Sequence, residues 1–70
     1  MRLDWQRVVL NLRQQGLSAE AIARKVGMDA DTLRHLARGE TREPRFSKGC
    51  ELLNLHERLC PDEHRLERLT

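Results

Sequence analysis

Apolar residues recur along this chain three and four positions apart, with no strand-like alternation, and that spacing predicts helices throughout. Trp5, Val8, Val9 and Leu12 trace one helical face; Asp4 can cap its start and Gly16 can stop it. A first helix is therefore expected over about residues 4–15. Leu3 and Leu10 fall on another side as a small second apolar patch. Ser18 reads as the cap of a second helix, with Ile22, Ala23 and Val26 facing inward until Gly27 permits a left-handed backbone. Met28 is expected to be buried in the turn. Asp29 reads as the cap of a third helix that runs to about Arg38 before Gly39 ends it, with Leu33, Leu36 and Ala37 inside.

The stretch Glu40–Arg45 is polar and contains Pro44, so it reads as an extended connection. Ser47 is expected to cap a fourth helix carrying Leu52, Leu55, His56 and Leu59 on one side. Pro61 ends that helix and fits the first turn of a fifth, with Asp62 and Glu63 at its start and Leu66 and Leu69 as its apolar edge. The expected fold is all-α: four to five short helices with a central helix-turn-helix formed by helices 2 and 3. Residues 1–60 read as the domain and 61–70 as a short C-terminal helical tail.

Composition agrees with that class. Trp5 and Phe46 are the only aromatics among 70 residues, tyrosine is absent, and leucine and alanine favour helix. A chain this short buries only about 60% of its unfolded surface, so its core is small. No apolar run reaches the ~20 residues of a membrane span, and residues 1–6 lack the apolar stretch of a signal peptide. A cytoplasmic, soluble protein is expected.

The net charge of +2 is unevenly placed. Residues 24–48 carry seven basic and four acidic side chains, whereas residues 49–70 carry three basic and five acidic ones. A basic middle beside an acidic tail suits one face meeting a polyanion; it also suits an ordinary solvated surface of mixed charge.

At 100° per residue, Asp31, Arg34, His35 and Arg38 form one stripe opposite Leu33 and Leu36. Arginine can donate two bonds to guanine O6 and N7, and aspartate can accept from the amino group of cytosine. Asp31 has a second reading, because an acid in the first turn also stabilises a helix dipole. Two short helices joined by a glycine-containing turn, with small Ala23 allowing a close crossing, complete the pattern.

Residues 17–39, LSAEAIARKVGMDADTLRHLARG, resemble the helix-turn-helix of phage repressor and Cro proteins, the XRE-like family. The resemblance implies a DNA-binding transcriptional regulator, a repressor of phage or prophage type. It implies base reading at Ala30, Asp31, Arg34 and His35, and DNA-backbone contacts at Ser18, Thr32 and Arg38. Family members often carry glutamine where Ala19 and Ala30 stand here, which shifts the reading toward Arg34 and His35. Further backbone contacts are expected from Arg42, Arg45 and Lys48 of the loop, just before the N-terminus of helix 4, whose free amides can also hold a phosphate.

Leu53, His56 and Cys60 widen the apolar arc of helix 4 beyond one core stripe and read as a dimer interface. A two-fold dimer would bind near-palindromic double-stranded DNA with half-sites one turn apart. Cys50 and Cys60, ten residues apart on a continuous helix, are too distant for a disulfide, and two free thiols suit a reducing cytosol. His56, Cys60 and His64 share an i, i+4, i+8 spacing, but Pro61 interrupts the helix and no further cysteine pair completes a metal set. No metal, cofactor, small-molecule substrate or catalytic group is expected: Ser18 and Ser47 both read as caps, and there is no phosphate-binding glycine loop. A rival reading uses the same helices as a protein-binding adaptor, such as an antitoxin or a phage assembly subunit.

Overall fold

The computed structural model describes residues 3–40 and 44–69, and among them every regular element is a helix: α1 (Trp5–Gln14), α2 (Ala19–Val26), α3 (Ala30–Ala37), α4 (Phe46–Leu59) and α5 (Leu66–Leu69). The caps explain most of the boundaries. Asp4 Oδ1 accepts the Arg7 amide at 3.2 Å, and Ser18 Oγ accepts the Ala21 amide at 3.1 Å. Each bond satisfies an amide that has no partner inside its helix. Gly27 ends α2 at φ 73°, a left-handed conformation that glycine adopts without a Cβ penalty. The Gly27 and Met28 amides then both bond back to the Ala23 carbonyl.

Two expected caps are corrected. Asp29 does occupy the position before α3, but its carboxylate accepts no backbone amide there. Ser47 lies inside α4: Arg45 holds the cap position, and the Gly49 amide bonds the Arg45 carbonyl at 2.8 Å, so the helix starts earlier.

Helix α1 is the hub, packing against α3, α4 and α5, while α2 packs on α3 and α4. Val8, Val9, Leu12, Ile22, Leu33, Leu36 and Leu52 are fully buried, with Ala23, Val26 and Leu55 beside them. Ala37 and Met28 are half-buried at the edge of this core. Leu10 remains on the surface. Gly49 is buried where α1 meets α4: a Cβ there would stand 3.1 Å from the tip of the Trp5 ring. The glycine lets the two helices approach around the indole.

After α4 the chain turns through residues 61–63, and Leu69 of α5 enters the core. The Asp4 amide bonds the Leu69 carbonyl at 2.5 Å, which ties residues 61–69 to the start of α1.

A polar chain crosses this core. Asn11 Nδ2 lies 3.1 Å from His56 Nε2, and His56 Nδ1 lies 2.9 Å from His64 Nδ1. With the Asn11 amide as donor, His56 is neutral, carries its proton on Nδ1 and donates to His64. The Cys60 thiol donates weakly to the Asn11 carbonyl at 3.6 Å. His56 and Cys60 are therefore core residues and cannot form the expected dimer interface. The surplus arc of α4 is covered from within by Asn11 and the returning C-terminal segment. Of the three, only Leu53 keeps partial exposure.

Burial, reinforced by neighbouring His64 and opposed by Glu63, holds the His56 pKa below the usual histidine value. The unfolded chain takes up a proton there from about pH 6.5 downward, whereas the native state resists it. Stability should therefore fall as pH drops below about 6.5. Urea melts between pH 7.5 and pH 5 test this; a flat profile would remove His56 as a source of acid sensitivity.

Candidate nucleic-acid interface

Helix α2, the three-residue turn Gly27-Met28-Asp29 and helix α3 form the expected helix-turn-helix arrangement. Leu33 and Leu36 anchor α3 from below, which turns Asp31, Thr32, His35 and Arg38 to solvent and leaves Arg34 partly covered. Ala30 is half-buried and packs against the core, which leaves its methyl group only partly exposed beside the stripe. Ser18 is exposed, with its oxygen already accepting the Ala21 amide. Arg45 is exposed at the start of α4. Lys48 is half-buried, and its ammonium lies 3.2 Å from where a Cβ on Gly27 would stand, beside the turn. Arg42 lies outside the described residues.

Carboxylates meet the cations of this surface. Arg34 Nη1 donates to Asp31 Oδ1 at 2.8 Å, three residues back on the same helix, while Nη2 pairs with Glu20 of α2. The first turn of α2 and the outer stripe of α3 therefore share one face. His35 Nδ1 lies 2.5 Å from Glu40 Oε1, and Arg38 Nε lies 3.7 Å from the same oxygen. The hydrogen bond with His35, and then the charge of Arg38, hold the Glu40 carboxyl below the usual carboxylate range.

The end of α3 places Glu40. Gly39 adopts φ 75°; its amide bonds the Leu36 carbonyl at 3.1 Å, and the Glu40 amide bonds the His35 carbonyl at 2.9 Å. This double return at a left-handed glycine folds the residue after it back over the last turn. Glu40 thus lands beside His35 and Arg38.

Glu20 and Glu40 are the residues that sequence reasoning missed. Glu20 carried only the signal of an acid in a first turn, and its partner stands fourteen positions away on another helix. With histidine counted neutral, Glu20, Asp31, Arg34, His35, Arg38 and Glu40 sum to −1, so this face is a mixed donor–acceptor surface. Exposed pairs of this kind are screened by solvent and contribute little to stability. They orient side chains without locking them.

On the outer side of α4, Leu3, Trp5, Pro44, Phe46, Cys50 and Leu53 line an open, largely apolar groove of about 330 Å³. Phe46 projects at its edge with 88% of its surface exposed. Among the described residues no set of three or more metal-ligating side chains converges, and no helix is long and apolar enough to cross a membrane.

No family model, curated protein or solved structure matches this chain.

Proposed function

We propose that this protein is a sequence-specific DNA-binding regulator, a repressor of phage type, that presents α3 to the major groove of a near-palindromic site as a dimer. The observation that carries the reading is the shared face of α2 and α3. Asp31, Arg34, His35 and Arg38 project together from a helix anchored by Leu33 and Leu36, beside the N-terminal turn of α2. A helix so mounted suits a groove about 12 Å wide, and its side chains match base-edge chemistry. Among the described residues no carboxylate pairs with Arg45, which makes it a candidate for the DNA backbone, where positive charge fixes register.

Arg34→Ala tests the reading. It is expected to weaken the preferred site by about 1–3 kcal/mol and leave random DNA little affected, because a base contact is lost. Equal weakening on both duplexes would show a contact with phosphate only.

A second reading, the protein-binding adaptor, gains from two observations. The charge of the α3 face sums to −1, and Phe46 stands exposed beside an apolar groove. An adaptor would use that groove and show no retention on DNA.

A further inference from the structure

We propose that Glu20 is a positioning residue that sets the specificity of Arg34, an inference that rests on the DNA-reading function above. Arg34 is held from two sides, by Asp31 on its own helix at 2.8 Å and by Glu20 across the helix-turn-helix. The guanidinium is thereby referenced to α2 as well as α3. Asp31 alone would leave it tethered to one flexible partner, free to swing outward. A guanidinium carries five N–H donors in a rigid fork, so two engaged donors leave others to face a ligand.

Charge decides what those donors meet. Two carboxylates and one guanidinium sum to −1. Such a cluster repels a phosphate, which is an anion, but not a base edge, which is neutral. Guanine N7 and O6 accept from arginine, while the flanking carboxylates accept from the amino groups of cytosine or adenine. Thymine O4 offers those carboxylates only another acceptor. The trio therefore directs Arg34 to guanine, with an amino-bearing base beside it, and keeps Arg34 off the backbone. Glu20 and Asp31 are 54% and 76% exposed at their side chains, so both can reach a base edge without leaving Arg34.

The experiment compares the wild type, Glu20→Gln and Arg34→Ala, each as the full chain, on two duplexes of equal length. One duplex is selected by the wild type from a random pool; the other has random sequence. Glu20→Gln keeps the length and an acceptor oxygen but removes the charge. Its affinity for random DNA is expected to rise about threefold, because a repelling carboxylate is gone. Its ratio of selected to random affinity is expected to fall at least about fivefold, toward that of Arg34→Ala. Circular dichroism should show unchanged helix content, since the pair is exposed. A ratio within about twofold of wild type, even with both affinities raised, would overturn the positioning role while leaving the DNA reading intact. A wild type with no preference between the duplexes would overturn it too. Failure of all three proteins to bind either duplex would instead overturn the reading on which the inference rests.

Discussion

His56→Ala is expected to cost about 3–5 kcal/mol, a large share of the total stability of a domain this small. His56 is fully buried and is hydrogen-bonded on both ring nitrogens, to Asn11 and to His64. Alanine would leave a cavity with the incomplete relaxation that makes large-to-small core changes costly. It would also strand the Asn11 amide, and a buried polar group without a partner costs about 1–3 kcal/mol by itself. A domain of this size has roughly 4–10 kcal/mol in total. Urea denaturation followed by circular dichroism measures the effect. A loss below about 1 kcal/mol would mean that His56 packs loosely and that its two ring hydrogen bonds do not hold the core together.

That polar core was the part least legible in the sequence. His56, Cys60 and Leu53 share the side of α4 that spacing alone marks as surplus apolar surface, and spacing cannot say what covers it. Asn11 on α1 and His64 beyond α4 supply the cover, at separations of 45 and 8 residues. A lone asparagine within α1 carries no periodic signal that it will be buried. The local features fared better because each is decided within a few residues. Ser18 capping α2, Gly27 and Gly39 turning left-handed, and the apolar faces of α1, α2 and α3 appear where the pattern placed them. Asp29 and Ser47 show the limit of residue type as a guide, since both are good capping residues that make no such bond. The α3 stripe was legible as a row of polar side chains. Its pairing with Glu20 was not, because only the crossing of α2 and α3 brings those residues together.

Whether this face meets DNA is decided by how binding responds to salt. Per subunit, Arg38, Arg42, Arg45 and Lys48 are the proposed phosphate contacts, and two subunits would neutralise about six to eight phosphates. Each neutralised phosphate releases condensed counterions, so the logarithm of the affinity should fall against the logarithm of salt with a slope of about −5 to −7. Between about 50 and 200 mM salt that slope amounts to a loss of roughly 10³- to 10⁴-fold. On the proposed reading Arg34 lies outside this count, because its pairs with Glu20 and Asp31 would direct it to bases and away from phosphate. Arg34→Ala should accordingly lower affinity for the preferred site while leaving the slope unchanged. The decisive measurement is fluorescence anisotropy of a labelled duplex across that salt range. The DNA reading predicts retention at about 50 mM salt with the steep slope given above. No binding to any duplex at about 50 mM salt would contradict it and leave the protein-binding reading, with its exposed Phe46 groove, in its place.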